Sequence, residues 1–101
     1  LMIIFDPVNV ISMDNYKDQD AMLREAFELV GDEIAAIHAK DFVIEDGKVI
    51  SKITGEGNLN YNLLMSLVKT HKPLIHILLE GTKPENVEFA KDYITKKYRE
   101  A

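Results

Sequence analysis

Cysteine is absent from this 101-residue chain, which excludes disulfides and metal sites built on thiolates. No apolar run approaches the ~20 residues needed to cross a bilayer. The first residues lack the basic segment and the small-residue cleavage site of a secretory signal. Basic residues are in the minority, and the formal net charge of −5 argues against a nucleic-acid partner, which needs a basic face. We therefore expect a cytoplasmic protein that binds neither membrane nor nucleic acid.

Hydrophobic residues make up 47% of the chain and charged residues 29%, which is enough for one packed domain with a soluble surface. Three short aliphatic runs stand out, and each reads as a buried parallel strand. The runs end on Asp6, His38 and Glu80. Because parallel strands place their carboxyl ends at one edge of a sheet, we expect these side chains to converge there. Aspartate, histidine and glutamate also suit a divalent cation.

Between the runs the sequence predicts amphipathic helices and one excursion. The order is strand, helix, strand, excursion, helix, strand, helix, which is typical of βα units around a parallel sheet. Asp18 and Asn60 are predicted helix N-caps, Gly31 a helix-terminating glycine, and Thr82 the start of a capping box before the last helix. The excursion contains a hairpin around the turn Glu45-Asp46-Gly47-Lys48. The predicted ranges are 2–5, 18–30, 33–37, 42–50, 60–71, 74–79 and 82–98.

Three βα units cannot close a barrel, which needs about eight. Alone they leave two open sheet edges and half-covered helices. Either an N-terminal half supplies the other strands, or copies of the chain supply them to each other. Leu1 stands at the start of a core strand, which we interpret as a cloning boundary, a cleavage point or a truncated reading frame. On this interpretation residues 1–101 are one partial domain.

The ends of the three predicted strands carry the motifs Asp6-Pro7-Val8-Asn9, His38-Ala39-Lys40-Asp41 and Leu78-Leu79-Glu80. These motifs resemble the C-terminal part of the sugar phosphate isomerase/epimerase family, the xylose-isomerase-like TIM barrels. The resemblance covers essentially the whole chain, as strands six to eight of a (β/α)8 barrel with their helices. The site residues are about 30 to 40 residues apart, one βα unit each. A further similarity is the glycine-rich loop before the penultimate helix. The loop is Gly55-Glu56-Gly57.

The resemblance implies one divalent cation, with manganese favoured over magnesium, cobalt or zinc. Asp6, His38 and Glu80 match three of the four metal ligands of the family, and the remaining glutamate would precede Leu1. Glu80 also matches one of two catalytic carboxylates. In such enzymes the metal acts as a Lewis acid toward an enediolate while the carboxylates move the proton. Because one carboxylate of the pair lies outside this chain, we expect the chain alone to be inactive.

Asn9, Lys40 and Asp41 are the candidate substrate-binding residues, and the expected substrate is a small sugar or sugar phosphate. Related barrels often carry histidine at the position of Asn9, and the DNA-repair endonuclease branch tends to have asparagine at that of Lys40. That branch also needs several zinc ions. A nuclease of the same fold is therefore an alternative that these two residues disfavour.

Plainer interpretations stay open for each residue. Asp6 before a proline can simply cap a turn, His38 can be a buried histidine with satisfied hydrogen bonds, and Glu80 can be a solvated strand end. Lys40 and Asp41 can form a local ion pair. For the whole chain, the alternative of a different class is a non-catalytic α/β module that self-associates through its open edges. The alternation also predicts that His76 faces the interior of the barrel.

Overall fold

The computed structural model describes residues 3–73, 75–79 and 82–101. The chain is a mixed α/β protein whose elements follow the predicted order. The strands are β1 Ile3–Phe5, β2 Ile34–Ala39, β3 Asp41–Glu45, β4 Lys48–Lys52 and β5 His76–Leu79. The helices are α1 Gln19–Val30, α2 Tyr61–His71 and α3 Val87–Glu100. Of the helices within the described ranges, none is long and apolar enough to span a membrane.

A small parallel sheet organises the fold, with strand order β1-β2-β5. Phe5 pairs with Ile37, and Ile37 pairs with Ile77, so these three side chains point to the same face. That face carries the helices: the ring of Phe5 meets the ring of Phe27 in α1 edge to face, with centroids 5.8 Å apart. The helix-covered face is therefore the hydrophobic core side of the sheet.

The core combines this face with the apolar sides of α1 and α2. Helical spacing brings the buried residues of each helix to one side, where they pack on β2. Helix α3 covers the sheet less fully, since Ala90 is its only residue classed as buried among those described. The main core side chains are Leu23, Phe27, Ile34, Ile37, Leu64, Met65 and Val68.

The opposite face of the sheet is open. The register places Ile4, Ala36 and His76 side by side on it, followed by His38 and Leu78. Ile4 is 58% exposed and Leu78 is 46% exposed, which is unusual for aliphatic residues in a parallel sheet. His76 lies on this face, which would be the inner face of a barrel, and in this chain it is exposed.

Helix termini agree with the sequence only in part. Asn60 is a true N-cap, because its side-chain oxygen accepts a hydrogen bond from the amide of Leu63 at 3.1 Å. Asp18 stands at the N-cap of α1 without a capping hydrogen bond. Gly31 directly follows the end of α1, as predicted, with a φ of −53° that lies outside the left-handed region common for terminating glycines. The last helix begins at Val87, after a 3₁₀ turn at Pro84–Asn86, rather than at the predicted capping box.

The predicted hairpin is present as β3 and β4. The buried carboxylate of Asp41 holds the segment between β2 and α2 in place. β3 and β4 pair antiparallel from Glu45 with Lys48 to Asp41 with Lys52. Asp41 is fully buried. Its Oδ1 accepts hydrogen bonds from the amides of Phe42 at 2.9 Å and Leu59 at 2.8 Å. Its Oδ2 accepts one from the amide of Gly55 at 3.1 Å, so the returning loop is fastened at both ends.

Gly57 fits this arrangement because it has no side chain. A Cβ at this position would lie 2.6 Å from Oδ1 of Asp41 and closer still to the carbonyl oxygen of Phe42. Gly31, in contrast, has room: the nearest atom to an added Cβ is 3.8 Å away, on His71. Gly57 therefore allows the loop to approach Asp41 and Phe42 closely, whereas no such close approach requires a glycine at position 31.

We expect Gly57→Ala to lower the free energy of unfolding by about 1–3 kcal/mol, because the backbone around Asp41 must shift to admit the methyl group. Gly31→Ala is the matched control and is expected to be neutral or to stabilise by about 0.4–1 kcal/mol through the unfolded state. Urea denaturation of both variants measures the difference. Equal stability of the two would show that the loop does not pack tightly on Asp41.

Candidate functional site

Asp6 follows β1 and caps the 3₁₀ turn Pro7–Val10. Its Oδ1 accepts hydrogen bonds from the amides of Val8 at 3.1 Å and Asn9 at 3.3 Å. Pro7 is suited to the first position of this turn because it has no amide hydrogen to satisfy. The turn-capping interpretation is thus correct for one of the two carboxylate oxygens.

The other oxygen of Asp6 is in an unusual environment. Oδ2 is buried and accepts no hydrogen bond from the part of the chain that the structure describes. It lies 3.2 Å from the Nζ atom of Lys40, a distance typical of an ion pair but without hydrogen-bond geometry. Lys40 Nζ donates instead to Oδ1 of Asn9 at 3.2 Å. Asp6, Asn9 and Lys40 are therefore brought together, as three of the predicted site residues should be.

His38 lies beside Asp6 in the sheet. Phe5 pairs with Ile37 in parallel register, so the residues that follow them, Asp6 and His38, stand at the same level. His38 is half-buried and pairs with Leu78 on its other side. β2 continues to Ala39, so His38 is inside the strand and does not follow it, which corrects the predicted strand end. Its side chain shares the open face of the sheet with Ala36.

The third predicted metal ligand, Glu80, lies outside the described residues. Within residues 3–73, 75–79 and 82–101, no three histidine, cysteine, aspartate or glutamate side chains are grouped to hold a metal ion. Because that search did not include Glu80, the ligand set of Asp6, His38 and Glu80 stays a prediction.

Asp41 has a structural role here. Both of its oxygens accept backbone hydrogen bonds and none of its surface is exposed. Burial raises the pKa of this carboxyl above its ordinary value of 3.8, while the backbone donors, among them the amide of Gly57, act in the opposite direction. The ion pair that forms joins Lys40 to Asp6 rather than to Asp41. We therefore leave Asp41 out of the proposed site.

Tyr61 is a contributor that the sequence did not single out. Its hydroxyl donates to the carbonyl oxygen of Lys40 at 2.7 Å and lies 3.2 Å from the hydroxyl of Thr54. Burial raises the pKa of Tyr61, so the phenol stays protonated as a donor. The sequence offers only a general indication of this role: a buried tyrosine usually forms a hydrogen bond through its hydroxyl. Tyr61 thus holds the backbone from which Lys40 projects.

A cavity of 440 Å³ lies at the other end of the sheet, lined by residues 27–33 and His71. It is next to Gly31, before β2 begins, whereas Asp6 follows the end of β1. Glu28, Asp32 and Glu33 make its rim acidic. The cavity is therefore separate from the Asp6 cluster, and an acidic rim alone does not indicate a ligand.

We expect Asp41→Asn to lower the free energy of unfolding at pH 7 by about 1–3 kcal/mol. The amide keeps one accepting oxygen, and its NH₂ group must face a backbone donor. The carboxylate keeps two accepting oxygens, but burial raises the pKa of Asp41 above its ordinary value of 3.8 on folding. The stability that arises from this shift is therefore fully present below pH 3.8 and is lost as the pH rises through the raised pKa.

The difference in unfolding free energy between wild type and Asp41→Asn should accordingly widen as the pH falls, because other titrating groups cancel in the comparison. Chemical denaturation at several pH values measures it. Glu56→Gln, an exposed change in the same loop, is the control and should stay within about 0.5 kcal/mol of wild type. A difference that narrows on acidification would contradict a raised pKa at Asp41.

Comparison with protein-family models, with curated proteins and with solved structures returned no match. A functional proposal for this chain therefore rests on its own residues and their geometry.

Proposed function

We propose that the chain is the C-terminal part of a divalent-metal-dependent sugar or sugar phosphate isomerase or epimerase with a TIM-barrel fold. Its three parallel strands correspond to strands six to eight. Asp6, His38 and Glu80 hold one divalent cation, and manganese fits best. The observation that carries the proposal is the buried Oδ2 atom of Asp6, to which none of the described residues donates a hydrogen bond. Asp6 stands next to His38 at the carboxyl ends of two parallel strands.

The residues suit such an ion. A buried carboxylate oxygen without a hydrogen-bond donor is unfavourable unless a cation compensates its charge. The ammonium of Lys40, 3.2 Å away, supplies that charge here, and a divalent cation could take its place. Oδ1 of Asp6 is occupied by two backbone amides, which fixes the direction of Oδ2 in the way that outer hydrogen bonds orient metal ligands. One imidazole with carboxylates is compatible with manganese, magnesium, cobalt or zinc. Glu80 follows Leu79, whose partner Ala39 is next to His38 in β2.

The reaction requires a proton to move between carbons beside a sugar carbonyl. A bound divalent cation would supply Lewis-acid stabilisation of the charge on the sugar oxygens. Glu80 serves as one acid–base group, and a second carboxylate from residues beyond this chain serves the opposite side of the sugar. Asn9 and Lys40 provide an amide and an ammonium at the same rim for the sugar hydroxyl or phosphate oxygens.

We expect the chain to bind Mn²⁺ in isothermal titration calorimetry, and Asp6→Asn, His38→Gln and Glu80→Gln each to weaken binding at least about tenfold. Asp6→Asn keeps an oxygen for the turn amides, whereas Asp6→Ala loses the cap and should cost about 1 kcal/mol of stability. The asparagine variant therefore separates charge from folding.

Glu56→Gln is the control for this titration, because it removes one carboxylate from an exposed loop. Thermal unfolding of every variant shows whether a lost signal reflects lost structure. Mn²⁺ binding that is absent from wild type, or that survives in all three ligand variants, would end the proposal.

Self-association is a second candidate function, favoured by the open face of the sheet. A parallel sheet is normally covered on both faces, yet Ile4 and Leu78 are exposed on one side. Within the described residues, β1 and β5 each pair only with β2, so both outer edges are available for pairing. A second copy of the chain would cover the aliphatic residues and supply neighbouring strands.

We expect wild type to form a dimer at micromolar concentration and Leu78→Lys to shift it to monomer, because a charge then lies in the apolar interface. Leu29→Lys is the matched control: Leu29 is 73% exposed on α1, which packs on the other face of the sheet. Sedimentation velocity measures the mass of each. A monomeric wild type, or equal effects of the two lysines, would reject this candidate.

A further inference from the structure

The ammonium of Lys40 lies at the one oxygen of Asp6 that the turn leaves without a donor. Nζ is 3.2 Å from Oδ2 of Asp6, and the two side chains are only 15% and 8% exposed. The same ammonium donates to Oδ1 of Asn9 at 3.2 Å, which gives it a second anchor. Lys40 therefore contacts the charged carboxylate of Asp6 and the neutral amide of Asn9 at one rim.

The ammonium of Lys40 balances the negative charge of Asp6 but does not donate a hydrogen bond to Oδ2. A hydrogen bond is not formed between Nζ and Oδ2, so the pair is held by Coulomb attraction in a poorly solvated site. A lysine ammonium is a compact charge on a flexible stem and can rotate between neighbouring acceptors. The Asn9 amide oxygen is such an acceptor, and it lies on the turn that Asp6 caps.

We propose that Lys40 is the exchangeable counter-cation of the metal site. It pairs with Asp6 when no metal is bound and is displaced from Oδ2 when a divalent cation binds there. The ammonium of Lys40 and a divalent cation cannot both contact Oδ2 of Asp6, because like charges a few ångströms apart in a buried site repel strongly. The inference rests on the proposed metal site and adds its regulation: Lys40 protects the buried carboxylate and sets the threshold for metal binding.

Mn²⁺ affinity of lysine variants tests the exchange. Lys40→Met removes the competing charge and should tighten Mn²⁺ binding about tenfold, the scale of one charged contact. Lys48→Met removes the same formal charge from an exposed site in β4 and should change affinity by no more than about twofold. If Lys40→Met fails to fold, Lys40→Gln keeps a donor for Asp6 and Asn9 without the charge and should show the same tightening.

Acylation of Lys40, followed by mass spectrometry, is a second measurement. Mn²⁺ should increase the acylation rate of Lys40 relative to Lys48, because the ammonium leaves the carboxylate. Mn²⁺ affinity that is unchanged or weaker in the Lys40 variants overturns the exchange, and so does an acylation rate of Lys40 that Mn²⁺ does not change. If wild type still binds Mn²⁺ in that case, the proposed metal site is retained. If neither wild type nor any variant binds Mn²⁺, the metal site and the exchange both fail.

Discussion

The hydrogen bonds that backbone amides donate to Asp41 are the constraint on which the site depends. β2 ends at Ala39 and β3 begins at Asp41, so a single residue joins the parallel sheet to the excursion. Asp41 fastens the far end of the excursion through Leu59, and Tyr61 holds the carbonyl of Lys40 from the next helix. The one joining residue is therefore fixed from both sides, and its side chain is directed to Asp6. Lys40 and Asp41 are thus neighbours of opposite charge with different roles: Lys40 pairs with Asp6, and Asp41 holds the returning loop.

Asp6 combines structure and charge in the same carboxylate. One oxygen replaces the missing partners of a 3₁₀ turn, as a capping aspartate commonly does. The other is left buried beside a lysine, and that arrangement costs desolvation which a capping role alone does not require. An asparagine would cap the turn equally well without the charge. The carboxylate therefore brings to this turn a negative charge that the cap itself does not need.

Periodicity and turn chemistry were sufficient to predict the element order, the hairpin at Asp46-Gly47 and the cap at Asn60, because these depend on neighbouring residues. The ion pair of Lys40 with Asp6 was not predicted, since the sequence suggested its neighbour Asp41 as the partner. The role of Asp41 could not be predicted, since one of its principal donors, Leu59, is 18 residues away and is brought back by the loop. Gly31 follows α1 as predicted, but its φ of −53° shows that the conformational freedom of glycine is not needed there.

The open face of the sheet connects the two candidate functions. Ile4 and Leu78 need cover for the same reason that any parallel sheet does, and either further βα units or a second copy can provide it. Leu78 pairs with His38 at the level of Asp6, so this cover also reaches the carboxyl ends of the strands, where Asp6 and Lys40 lie. Covering the face would therefore lower the dielectric around the ion pair between Asp6 and Lys40 and strengthen the electrostatic interactions at this rim.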